Sequence, residues 1–209
     1  MRPRRALVVV MLCAIAVGGC ASKVTLDVGL KPFEAGFGPL SSVPAATVKV
    51  TELVDKRPDR ARIGYKKSGF GDNAAQIVTA RPVATIVRDA IVAEFTGSGH
   101  RTGEDPDLIV SGTITTFWFE WTSRFTALEF TATVAADLTI SDAKSARPLV
   151  RHTYRGHYSE TSMVGGVEGT WQRVMNIALR RMMRDIASDP GLLTVLRERG
   201  VTRAAAREQ

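Results

Sequence analysis

Few residues in this chain are of a type and spacing that do chemistry. It has two cysteines, Cys13 and Cys20, and three histidines, His100, His152 and His157. His152 and His157 stand five apart in a stretch that reads as a strand, so they point to opposite faces and cannot share a metal ion. With no cysteine beyond residue 20, a zinc set has no thiolates to draw on. No Gly-x-Ser-x-Gly occurs, and spacing yields no Ser/His/acid set. Asp55, Asp59 and Asp72 would be the choice for a carboxylate pair. Each sits among turn residues, where aspartate bonds its own backbone. Gly69-Phe70-Gly71 and residues 165–169 are glycine-rich without a phosphate-cradling spacing, and Glu168 would repel an anion. The expectation is a chain with no catalytic residue, no metal and no cofactor. The thiol of Cys20 remains.

Its surroundings give that thiol a task. Arg2, Arg4 and Arg5 open the chain, residues 6–17 are an unbroken apolar run, and Gly18-Gly19 precede the cysteine. A run of about 12 residues is short of the ~20 needed to span a bilayer. A basic start, a short apolar core and small residues at the cut describe a secretory signal. The stretch resembles a bacterial lipobox, in which the thiol takes a diacylglyceryl group and the cysteine becomes the new N-terminus. Small residues before it let a peptidase thread an extended backbone. In the lipoproteins this resembles, Asp after the cysteine favours the inner membrane, so Ala21 points to the outer membrane.

The 209-residue chain carries 28 basic and 21 acidic residues, a formal charge of +7. The leader holds three of those arginines and no acid, so the remainder carries +4. That balance suits anionic lipid or cell-wall polymer. Export to the envelope excludes nucleic acid as a partner. Cys13 leaves with the leader, so no disulfide can form in what remains.

Four segments follow. Residues 1–19 are the signal. Residues 20–46, rich in Gly, Pro and Ser, read as a lipidated N-terminus and flexible tether. Residues 47–199 form one domain, and residues 200–209 a disordered tail. Within the domain, residues 47–54 alternate as a strand and residues 62–67 as a second. Residues 55–80 otherwise read as a long, basic, glycine-rich loop. Residues 82–96 place Val83, Ile86, Val87, Ala90, Ile91 and Phe95 on one helical face, with Glu94 on the other. Residues 108–121 change apolar parity midway, which calls for a bulge near Thr115-Thr116. Residues 128–140 alternate without a break, and residues 149–160 return as a further strand. Thr170 caps a helix over 171–187 with Trp171, Val174, Met175, Ala178, Leu179, Met182 and Ile186 buried. Asp189-Pro190-Gly191 then breaks it. Strands followed by one-sided helices give an α+β fold, a two-layer sandwich of antiparallel sheet packed by two amphipathic helices.

The chain resembles the YajG-type family of small bacterial lipoproteins. The likeness rests on the lipobox with Leu26-Asp27-Val28, Val48-Lys49-Val50 with Asp55-Lys56-Arg57-Pro58, and Ile63-Gly64. It continues through the helix at 82–99, the strands from 108 to 160, and the closing helix to Asp189. The resemblance implies an envelope lipoprotein and assigns no site residue.

Phe117, Trp118, Phe119 and Trp121 crowd four aromatics into five positions, suited either to a core strand or to stacking on a sugar or a protein. Arg173, Arg180 and Arg184 line one helical edge, either solvated or facing anionic polymer. Lys67 and Phe70, together with Trp118, are the expected partner contact. Three functions compete. The first is a non-enzymatic lipid-anchored accessory to an envelope assembly or transport system, facing the periplasm and binding an envelope protein or cell-wall component. The others are a peptidoglycan- or glycolipid-binding module, and a hydrolase with an unrecognised site.

Overall fold

The computed structural model describes residues 23–31, 34–67, 70, 72–123, 127–162 and 168–207, with side chains described through residue 199. Its centre is a hairpin of long strands, β7 (Leu108–Ser123) against β8 (Leu128–Asp142), extended by β9 (Pro148–Ser162). β7–β8 and β8–β9 are antiparallel. The free side of β7 takes three short strands in succession, β2 (Thr47–Val50), β3 (Val54–Asp55) and β4 (Gly64–Lys67). All three run parallel to it. Parallel pairing needs a crossover, and α1 (Val83–Gly97) carries the chain back between β4 and β7. Outside β4 lie β5 (Asn73–Thr79), antiparallel to it, and β1 (Lys23–Leu26), parallel to β5. A two-residue β6 (Arg101–Thr102) borders β2. The fold is α+β, but the sheet is mixed rather than antiparallel.

The bulge stands where parity demanded it. The β7–β8 register slips between Ile114 and Thr116, leaving Thr115 as the extra residue. Leu108, Val110 and Ile114 before it and Phe117 and Phe119 after it are all buried. Even-numbered β8 residues from Phe130 to Ile140 are buried too.

α1 buries the six expected residues, and α2 (Glu168–Ala187) buries its whole expected stripe with Met183 and Ala187 in addition. The helix is already under way at Thr170, so that residue is not its cap. Gly156 lets α2 lie against β9, because a Cβ there would stand 1.9 Å from the Ala178 carbonyl oxygen. α3 (Pro190–Arg207) follows the Asp189 break. Asp189 Oδ1 accepts from the Gly191 and Leu192 amides and Oδ2 accepts from the Tyr154 hydroxyl. α3 thus runs through most of the segment expected to be a disordered tail, because Leu192, Leu193 and Leu196 dock its first turns on the core.

The expected tether is the larger correction. β1 pairs with β5 over four residues, and Leu26, Val28, Leu40, Val43 and Ala46 are buried. Gly, Pro and Ser disguised hydrophobes that are buried one at a time. Polar contacts fasten the same segment. The Gly29 amide donates to Asn176, Arg180 pairs with Glu34 at 2.9 Å, and the Gly36 amide donates to Glu94. Glu94 is therefore buried, not solvated as its helical position suggested. Burial raises its pKa, offset by the Gly36 amide and the Arg184 charge. His100, also buried, accepts from the Ala46 amide on Nδ1, which leaves Nε2 to donate to the Leu40 carbonyl. Residues 73–79 form β5 where an irregular loop was expected.

Two outcomes follow from these contacts. Val134 is wholly buried and Thr133 faces the other side of the sheet. Val134→Asp should cost about 4 kcal/mol or more, and Thr133→Asp under ~1 kcal/mol, by urea denaturation. Burial holds the His100 pKa below its usual 6.5. An unfolded chain therefore takes that proton first as pH falls. The stability His100 confers is present above pH 6.5 and is lost as pH drops through its lower folded value. Wild type should lose stability between pH 7.5 and 5.5 relative to His100→Gln. Glu94 acts in the opposite sense in both proteins, so the difference isolates His100.

Candidate functional site

Asp55-Lys56-Arg57-Pro58 ends β3 and begins the turn that feeds β4. Arg57 is buried, and its guanidinium is used in full. Nε and Nη2 donate to the Asp55 carboxylate, Nη1 to the carbonyls of Arg62 and Phe117, and Nη2 also to the carbonyl of Arg60. One side chain thereby fixes the turn 57–62 against β7. Ile63 follows into the core, and Gly64 meets β7 so closely that a Cβ would lie 2.3 Å from the Phe119 carbonyl oxygen. The short patterns at Arg57 and Gly64 are thus structural. Asp55 is balanced by an arginine rather than by a second carboxylate.

Two hollows share Arg57. One, about 350 Å³, is lined by Arg57, Pro58, Asp59, Thr115, Thr116, Phe117 and Trp118. It opens at the β7 bulge and is largely apolar. The other, about 420 Å³, lies between the turn 57–62 and the start of α1, where Arg60, Arg62 and Arg81 meet Val83 and Ala84. Two of these arginines have local counter-ions: Arg62 pairs with Asp59 at 2.7 Å and Arg81 with Asp89 at 2.8 Å. Trp118 is half-buried and meets the Tyr65 ring edge-on at 6.2 Å, while the Arg62 guanidinium lies 4.9 Å over Tyr65. Trp118 is thus the wall of the bulge hollow that meets Tyr65 and, beyond it, Arg62.

The expected contact residues divide. Trp118 belongs to this wall. Lys67 and Phe70 lie at the other end of β4, beyond the Gly64–Phe119 pairing, with Phe70 98% exposed. The aromatic cluster divides as well: Phe117 and Phe119 enter the core, and Trp121 stacks on Phe130 at its edge. The arginine edge of α2 is occupied by the chain's own groups, Arg173 with Glu160 and Arg180 with Glu34. Cys20 lies outside the described residues. Among the described residues no group of His, Cys, Asp and Glu is placed to hold a metal ion, and no helix is long and apolar enough to cross a membrane. Tyr65 gave no site signal in the sequence, where its two-residue offset from Ile63 assigns it to the same strand face.

Comparison with known proteins supplies the class. The family described as an uncharacterised lipoprotein matches residues 42–197, and this chain belongs to it. Membership places it among membrane-anchored envelope proteins. Among solved structures, a Xanthomonas campestris protein of the DUF330 family is similar at TM-score 0.54 and 13% identity, over 90% of this chain and 100% of that one. At that identity the likeness is one of fold. A lipoprotein from Caulobacter crescentus aligns at TM-score 0.43 and 11% identity, over 75% of this chain and 93% of its own. A minor lipoprotein from Acinetobacter baumannii gives 0.41 and 8%, over 68% and 88%. No curated protein matches the chain.

Removing the shared wall should be costly. Arg57→Ala strands the Asp55 carboxylate and three carbonyls, for an expected loss of ~3–5 kcal/mol. Arg57→Lys should fall between it and wild type, since an ammonium cannot reproduce the fork. Urea midpoints of the three proteins check the order.

Proposed function

We propose that this chain is a YajG-type lipoprotein, acylated at Cys20, exported to the outer membrane and facing the periplasm. It works by binding, as a non-enzymatic accessory to an envelope assembly or transport system. The observation that carries the reading is the hollow at the β7 bulge. It offers an apolar floor beside Trp118 with Asp59 among its lining, a setting that receives an anchoring side chain of a partner protein. In the two-layer arrangement the helices cover the face that carries Phe117 and Phe119, and Trp118 is left to the partner. Lys67 and Phe70 lie further along β4, past its pairing with β7 at Gly64. The arginine-lined hollow next to it supports a second reading, an anionic cell-wall polymer or glycolipid.

Photocrosslinking residues at Trp118 and at Pro58, with Lys144 as the distant control, separate the two in intact cells. A discrete protease-sensitive adduct from positions 118 and 58, absent at 144, is expected. A protease-resistant, glycan-bearing adduct would favour the polymer. Identical patterns at all three positions would refute the contact. Turnover of peptidoglycan, esters or phosphoesters by the purified protein would refute the non-enzymatic reading.

A further inference from the structure

The start of β1 and the tip of the β4–β5 hairpin lie at one end of the sheet. Lys23 pairs with Gln76, and Gln76 pairs with Tyr65, so β1 starts level with the second residue of β4. β4 continues past that level to Lys66 and Lys67, paired with Ala75 and Asn73. At ~3.3 Å per residue Lys67 stands roughly 7 Å further out than Lys23, and Phe70 lies in the turn beyond it. Strand spacing puts β4 roughly 10 Å to the side of β1.

Cys20 precedes Lys23 by three residues. A chain extends by at most ~3.6 Å per residue, so an acyl group on Cys20 holds the start of β1 within roughly 11 Å of the lipid it enters. This is comparable to the reach of the hairpin and to the ~8–10 Å over which charges act at physiological salt. The side chains there suit a bilayer surface. Lys23, Lys66 and Lys67 are exposed, Phe70 is 98% exposed, and Asp72 is the acid at the tip. An exposed aromatic beside lysines is the composition of an interfacial anchor, with the ring among the headgroups and the ammonium groups facing anionic lipid.

We propose that this sheet end docks on the phospholipid surface, as a second attachment beside the lipid anchor. Phe70 enters the headgroup region, and Lys23, Lys66 and Lys67 face anionic headgroups. The proposal rests on the reading of Cys20 as the acylated residue. It turns the two hollows, which lie at the Gly64–Thr79 end of the same strands, away from the bilayer.

Acylation consumes the thiol of Cys20 and Cys13 leaves with the leader, so single cysteines can be spin-labelled cleanly. The acylated full chain carrying Phe70→Cys or Lys144→Cys would be reconstituted into phosphatidylethanolamine–phosphatidylglycerol vesicles at 3:1. Collision rates of the nitroxide with oxygen and with a water-soluble nickel chelate are then measured. A label at 70 should favour oxygen, and one at 144 the chelate. Adding Lys66→Ala and Lys67→Ala should shift the label at 70 toward the chelate. Equal, chelate-dominated values at 70 and 144 in a protein that takes up a palmitate analogue at Cys20 would overturn the docking while leaving the anchor intact. A protein that incorporates no label at Cys20 would overturn both.

Discussion

β7 is the constraint on which the remainder depends. A sixteen-residue strand cannot keep one face in a core along its whole length if the apolar parity changes partway. Thr115 resolves the conflict by adding one residue without a partner across the β7–β8 ladder. Ile114 and Phe117 then face the same interior although their numbers differ by three. The slip also opens the backbone at Thr115-Thr116, where the apolar hollow forms. Core packing and surface concavity thus share one local cause.

The second dependency runs through Arg57. A buried guanidinium is costly to desolvate, and here its donors serve the carbonyls of Arg60 and Arg62 in the turn 57–62 and of Phe117 on β7. The same turn walls both hollows. Its shape is set from inside by this network.

Much of this could be read from residue order. α1, α2, β7, β8 and β9 are long enough for their periods to stand out, and the parity change of β7 located the bulge without knowledge of the fold. The short strands were less legible for a physical reason. β1 has four residues and β5 alternates only through Ala75 and Ile77, too little apolar signal to separate from loop. Their stability comes from pairing with distant segments. Glu94 and His100 illustrate the same limit: Glu94 is polar where periodicity assigns solvent, His100 lies past the helix where no period runs, and each is buried because the segment 34–46 arrives to bond it. At the candidate site, Trp118 emerged from aromatic crowding, but Tyr65 and the shared arginine required the three-dimensional approach of β4 to β7.

The direction of β1 has a mechanical consequence. Because it lies parallel to β5, with its bonds running across to Gln76–Thr79, tension drawn outward on the residues that precede Lys23 acts along the strand axis. Such a load slides β1 past β5 and strains all of its cross-strand bonds together. A load across the strand would unzip them singly, each at its own modest strength. The chain therefore enters its fold through a joint loaded in shear, backed by the Ala80 amide on the Leu26 carbonyl and by the Asn176 contact at Gly29.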